Sequence, residues 1–287
     1  MKKKLKGFYR RFTYFLLQVL FLVCCTNYAA ASHPELRVAM AQIDIISGNL
    51  KMNMWRAEKI IRQAADCNVD MVCLPEAADF GWLYQQARSD ASPIPGKYTD
   101  FLSALARELN IWISAGCLEK DGDRTYNAAV IIDRTGNIVL KHRKIKTLPS
   151  LTSHLYDRGI PDNVKVVDTE FGCIGLTICA DNFDSENTEK IVNLGAWLLI
   201  TPHGFAAKEN DLANNAVEYM NHIKNLATRT KIWVVGTNSC LSLVTGGEWE
   251  GYLHSGCSTI ADPEGKVVAI GKFKEPDLII YHIPSEE

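Results

Sequence analysis

From residue 36 onward the chain repeats one pattern: a short apolar run, a polar break, then a stretch whose apolar positions recur at helical spacing. Residues 36–43, with Leu36, Val38, Met40 and Ile43, and residues 69–76, with Val69, Met71, Val72 and Leu74, have the length of strands. Between them, residues 53–67 place Trp55, Ile60 and Ile61 on a predicted helix. The alternation continues with a helix over 99–109 and a strand over 111–118. Residues 126–133 and 137–144 then form a strand pair around the turn Arg134-Thr135-Gly136. Farther on, a helix is predicted over 185–194, a strand over 196–201, a helix over 211–229 and a strand over 232–238. Strand–helix alternation with some hairpins implies an α/β protein, a mixed sheet covered by helices. No repeat of solenoid period and no low-complexity tract interrupts it.

The first 31 residues follow a different rule. Lys2, Lys3, Lys4, Lys6, Arg10 and Arg11 precede an apolar stretch over 12–25, and Ala29-Ala30-Ala31 supplies small residues for a cleavage site. This is the tripartite pattern of a secretory signal. It predicts export to the periplasm or outside the cell, with residues 1–31 as leader and 32–287 as one folded domain, since no linker or composition break divides the latter. The alternative is an uncleaved anchor, because residues 12–31 are barely long enough to span a bilayer with the basic end in the cytoplasm. Lipid attachment at Cys24 or Cys25 fits less well, as Val23 is not small.

Setting aside the six basic leader residues takes the formal charge from −2 to −8. That balance disfavours nucleic acid and anionic membrane as partners, apart from a membrane contact through an uncleaved leader. The remaining cysteines, Cys67, Cys73, Cys117, Cys173, Cys179, Cys240 and Cys257, are odd in number and have no paired spacing, which argues against a disulfide framework. Histidines and cysteines nowhere fall at zinc-ligand spacing, so neither a metal nor another cofactor is expected.

Three chemically capable side chains stand where apolar strands stop. Gly172-Cys173-Ile174-Gly175-Leu176-Thr177-Ile178-Cys179 delivers a thiol to a sharp turn before a helix, Met71-Val72-Cys73-Leu74-Pro75-Glu76 ends on a carboxylate, and Ile138-Val139-Leu140-Lys141-His142-Arg143-Lys144 ends on an ammonium. Singly, a cysteine at a strand end is usually an inert core residue, a terminal glutamate an ordinary surface acid, and a basic run a solvated face. Together they form a nucleophile, a base and a cation at the sheet ends, where α/β proteins place their sites.

In that order Glu76, Lys144 and Cys179 resemble the catalytic triad of the nitrilase superfamily, the carbon-nitrogen hydrolases. Arg37-Val38-Ala39-Met40-Ala41-Gln42 is similar to the family's opening strand, and Leu74-Pro75-Glu76 and His142-Arg143-Lys144 to its glutamate and lysine motifs. Asp262-Pro263-Glu264-Gly265 is similar to its late hairpin turn. The resemblance implies a four-layer α-β-β-α sandwich, a small-molecule substrate, and a homodimer or higher oligomer formed through helices beside the cysteine turn. It further implies Glu76 as base, Cys179 as nucleophile and Lys144 with the Ala180 N–H as oxyanion hole. A thiol of ordinary pKa near ~8.5 needs such a base or cation to attack an amide.

Two departures stand out. Many members place a second glutamate between the lysine and cysteine motifs, whereas residues 146–158 contain only Asp157. Many amidases follow the cysteine with Tyr-Asp-x-Arg-Phe-Pro-Glu, whereas here Ala180-Asp181-Asn182-Phe183 follows, with an aromatic as in the carbamoylputrescine amidase and nitrilase branches. Phe183, His203 and Phe205 are candidate substrate contacts. Asn127 of the Tyr126-Asn127 pair is read as a backbone brace, and Trp82 and Tyr84 either wall the pocket or pack. The expected reaction is hydrolysis of a small amide or N-carbamoyl compound; a nitrilase, an acyltransferase and a silent binding module are the alternatives.

Overall fold

Both sides of the first strand, β1 (Leu36–Gln42), are buried, which fixes its place inside a layered structure: Leu36, Val38 and Met40 lie on one face, Ala39 and Ala41 on the other. A computed structural model of the chain describes residues 33–183 and 185–285. The leader predicted over 1–31 and its cleavage point lie outside the described residues.

The first half supplies β2 (Met71–Cys73), β3 (Trp112–Asp121), β4 (Arg124–Ile132) and β5 (Ile138–Arg143). The second supplies β6 (Val166–Thr169), β7 (Gly172–Leu176), β8 (Leu198–His203), β9 (Ala206–Ala207), β10 (Trp233–Asn238), β11 (Cys240–Leu243), β12 (Leu253–Ser255), β13 (Thr259–Ala261), β14 (Val267–Ile270) and β15 (Asp277–Ile283). One six-stranded sheet has the order β15-β1-β2-β3-β4-β5, the other β14-β13-β10-β8-β7-β6, and β11-β12-β9 form a small third sheet.

The inner faces of the two large sheets meet through Val38, Met40, Met71 and Ile131 on one side and Ile174, Leu176, Leu198, Ile200 and Val235 on the other. The outer face of the first sheet, including Ala39, Val72 and Ile113, is covered by α1 (Leu50–Asp66) and α2 (Lys97–Leu109). On the second, Leu199 and Val234 pack beneath α3 (Ser185–Asn193) and α4 (Leu212–Thr230). The result is the expected α-β-β-α sandwich.

Element boundaries differ from the sequence reading for local reasons. Helix α1 starts earlier than predicted because the Asn49 side chain accepts the Met52 N–H and caps it. Trp55 falls off the stripe Ala57, Ile60, Ile61 and Ala64; it is 56% exposed, with the Lys59 ammonium over its ring. Strand β2 ends at Cys73, not at Glu76, because Pro75 cannot donate to a ladder.

Strand direction gathers the candidate residues. β1, β2 and β3 are parallel, and two antiparallel steps from β3 through β4 make β5 run the same way. The loops after β2 and β5 therefore leave from one end of their sheet. In the second sheet β7, β8 and β10 are parallel, so the turns carrying Cys179 and the residues after His203 also leave from a common end.

Candidate active site

Glu76 sits on a turn hung between the two sheets. Pro75 O accepts the Gly116 N–H of β3, Gly116 O accepts the Ala78 N–H, and the Glu76 N–H donates to His203 O at the end of β8. This close approach requires glycine at position 116, where a Cβ would lie 2.6 Å from Glu76 Cα. Gly116→Ala is expected to push the Glu76 turn aside and lower kcat/KM by about 100-fold, the scale expected of a misplacement near 1 Å. Near-normal steady-state kinetics in a folded variant would show that the turn tolerates the shift.

Asp79 fixes the far side of the same turn, its carboxylate accepting the Phe80 and Leu118 N–H groups. Burial raises its pKa to about 7 against the opposing effect of those bonds. A folded pKa above the unfolded value near ~3.9 means that the folded state holds the proton more tightly. Asp79 therefore contributes stability that is complete below about pH 4 and lost as pH rises through about 7. Asp79→Asn is expected to remove this slope from a plot of urea midpoint against pH; an unchanged slope would assign it to other groups.

Lys144 follows β5 directly. Its N–H donates to Asn127 O, its carbonyl accepts the Gly159 N–H, and its Nζ donates to Glu76 Oε1 at 2.5 Å. The Asn127 side-chain amide donates to the same Oε1 at 2.6 Å. The Asn127 side chain thus holds the Glu76 carboxylate and not backbone, which corrects the brace expected of it; only its main-chain carbonyl meets the Lys144 segment. Glu76 Oε2 is buried and faces Gly204, and both the Glu76 carboxylate and the Gly204 N–H are directed at the Cys179 sulfur.

Cys179 occupies a left-handed backbone conformation, φ +44°, at the start of a 3-10 turn, Cys179–Phe183. A non-glycine residue held there marks a turn imposed by its surroundings. Asp181 does much of the imposing. Its Oδ1 accepts the Ile145 and Lys146 N–H groups, and its Oδ2 accepts the Ile178 N–H and the His142 Nε2–H. One carboxylate therefore ties the thiol's turn to the segment carrying Lys144. Burial pushes the Asp181 pKa up, but His142 and these N–H groups outweigh it and hold it below the ordinary carboxylate range.

Glu76, Lys144 and Cys179 are 1%, 3% and 8% exposed. Burial and the nearby Glu76 charge raise the Cys179 pKa to about 12, against the opposing pull of Lys144 and the Gly204 N–H. Burial works against the Lys144 ammonium, yet the Glu76 carboxylate beside it overcompensates and its pKa lies above the usual lysine range. The resting site is thus a neutral thiol beside a charged lysine. Such a thiol reacts when a base removes its proton during attack.

Ala180 is buried in the same 3-10 turn. His203 is fully buried, with Nε2 at Thr201 Oγ1 and its ring edge-on to Tyr219 and His222. Phe205 is half-buried against Tyr219 and His222, and Phe183, 55% exposed, meets His222. These three therefore form one aromatic cluster beside the thiol's turn. Trp82 is buried at the Gly204 side of Glu76, whereas Tyr84 donates outward to Asp90. Asp157, the only acid of the loop lacking a second glutamate, is engaged by Arg88 and the Thr125 N–H. Gly204 and Asp181 escaped the sequence reading, although the Gly after His203 and the Asp two residues past the thiol are the signals that pointed to them. Among the described residues, no group of three or more His, Cys, Asp or Glu is arranged to hold a metal ion, and all seven cysteines there are free.

The profile of one family, carbon-nitrogen hydrolase, matches residues 37–287. Omega-amidase NIT2-B of Xenopus laevis is 26% identical over 256 residues, covering 84% of this chain and 86% of its own. A nitrilase of Pyrococcus abyssi is 29% identical, covering 80% and 83%. Among solved structures, Nit3 of Saccharomyces cerevisiae, a member of branch 10 of the nitrilase superfamily, superposes with a TM-score of 0.76 at 24% identity, covering 88% and 90%. An amidase from Nesterenkonia sp. gives 0.74 at 18% identity, covering 88% and 91%.

Proposed function

Because the chain belongs to the carbon-nitrogen hydrolase family and is thus an enzyme of non-peptide carbon–nitrogen bonds, we propose that it cleaves a small amide or N-carbamoyl compound through a Cys179 thioester. One observation carries the assignment of roles: Lys144 and Asn127 both donate to Glu76 Oε1, which leaves Oε2 as the basic atom on the side of the thiol. In the proposed cycle Cys179 Sγ attacks the carbonyl carbon as Glu76 Oε2 takes the thiol proton. Lys144 Nζ and the Ala180 N–H receive the oxyanion, each contributing about 3 kcal/mol to the transition state. The tetrahedral intermediate collapses with loss of the C–N bond, and Glu76 passes its proton to the departing ammonia or amine. Water, deprotonated by the same carboxylate, then attacks the thioester; the C–S bond breaks, the sulfur regains a proton and the acid leaves.

Support for an amide comes from the omega-amidases among the relatives, while the Pyrococcus abyssi nitrilase keeps a nitrile as the alternative. A panel of primary amides, N-carbamoyl acids and nitriles, read by ammonia release and product mass, tests this: turnover of nitriles alone would replace the amidase reading, and turnover of none would favour a binding module. In the same reading, residues 1–31 direct export. The chain associates as a homodimer or higher homo-oligomer, a reading supported by the exposed apolar Val217 on α4 and Leu194 just after α3.

A further inference from the structure

The histidine on β12 has no part in the cycle above, and its surroundings are those of a recognition group. His254 is 2% exposed. Its Nδ1 lies 2.7 Å from Ser242 O, and a carbonyl can only accept, so Nδ1 carries the hydrogen and Nε2 presents a lone pair. That Nε2 is buried and has no hydrogen-bond partner. An orphaned buried acceptor costs about 1–3 kcal/mol, a cost that a bound donor would remove.

Trp82 links the ring that carries this lone pair to the Glu76–Cys179 site. His254 pairs across the small sheet with Ala206, next to Phe205 on the arm that carries Gly204. Its ring meets Trp82 edge-on, centroids 6.3 Å apart and planes at 87°. Trp82 in turn borders Gly204, where a Cβ would lie 3.3 Å from the indole and 3.1 Å from Glu76 Oε2. Burial keeps the His254 pKa below the ordinary value, although the Ser242 carbonyl and the charges of Glu76 and Asp44 pull it upward, so the imidazole meets a ligand neutral. Glu76 and Lys144 already serve the reacting carbonyl and the departing nitrogen. The acyl chain is the part of a substrate that these groups leave without a polar partner.

We propose that His254 selects the substrate by accepting a hydrogen bond from its acyl chain, so that the preferred amide carries a hydroxyl or N–H donor there and not a methyl or carboxylate end. The inference rests on the amidase reading. A carboxylate would set acceptor against acceptor at Nε2, and a methyl group would leave the orphan unsatisfied.

The test compares kcat/KM for γ-hydroxybutyramide, butyramide and succinamic acid. The wild-type enzyme is expected to favour the hydroxyl-ended amide over butyramide by about tenfold, the scale of one neutral hydrogen bond. His254→Asn can still donate to Ser242 O but lacks an acceptor at the Nε2 position, and should bring the ratio to near one. His254→Gln restores an acceptor there and should recover it. Circular dichroism and melting of both variants separate a lost bond from a lost fold. A wild-type ratio near one, the same ratio in all three proteins, or a preference for succinamic acid would overturn the proposal while leaving amide hydrolysis intact. Failure of the wild-type enzyme to turn over any amide would remove the amidase reading and this inference with it.

Discussion

Cys179→Ala is expected to lower the turnover of every substrate by about 10⁴-fold or more, because the acyl group then has no sulfur on which to rest and the reaction reverts to direct attack by water. The fold should survive. Alanine also carries a Cβ, so the left-handed conformation at φ +44° is no more strained than before. The melting temperature should move little. Cys173→Ala is the control: Cys173 lies within β7, half-buried near Leu194 O, on the far side of the strand from the reaction. It should keep full turnover. Ammonia-release rates beside a thermal melt decide the matter, and a Cys179→Ala enzyme within about tenfold of wild type would remove covalent catalysis by this residue.

Lys144→Met is expected to act on chemistry and stability together. Losing one oxyanion donor costs about 10²–10³ in kcat. It also leaves the Glu76 carboxylate, 1% exposed, with only the Asn127 amide on Oε1. Breaking a buried pair by removing one partner costs about 3–5 kcal/mol. Glu76→Gln, which cannot accept a proton, should be equally inactive. The combined Glu76→Gln, Lys144→Met protein should then be more stable than Lys144→Met alone, because the uncompensated charge is gone. Urea denaturation of the four proteins measures this; strictly additive losses would mean that the two side chains do not act as a pair. Lys146→Met, two residues along the same basic run, should leave both readouts close to wild type.

The layers were legible because strand alternation and helical spacing were both intact: Val38 and Met40 face one way and Ala39 and Ala41 the other, which is what a sandwiched strand needs. The meeting of Glu76, Lys144 and Cys179 was legible from their positions at strand ends. How they are held was not. Asp181 reaches back to Ile145 and Lys146 across 35 to 36 residues, and Gly116 is required by a backbone lying 40 positions earlier in the chain. Such constraints are set by through-space approach, and no local periodicity encodes them. The unpartnered Nε2 of His254 is of the same kind, since only the neighbouring strands show what it lacks.

The last strand is the outer neighbour of the first: Ile283 stands opposite Leu36, and His282 Nε2 lies 3.1 Å from Glu35 Oε2 across 247 residues of chain. Closing a loop of that length costs on the order of 5 kcal/mol of chain entropy before any contact rewards it. Until β15 docks, the apolar strand β1 is an open edge offering unpaired N–H and C=O groups to any extended segment it meets. A nascent polypeptide whose residues 277–283 have yet to emerge therefore has both large sheets but a sticky flank. A chain cut short before position 277 keeps that flank permanently, and self-association is the fate the sheet's topology assigns to it.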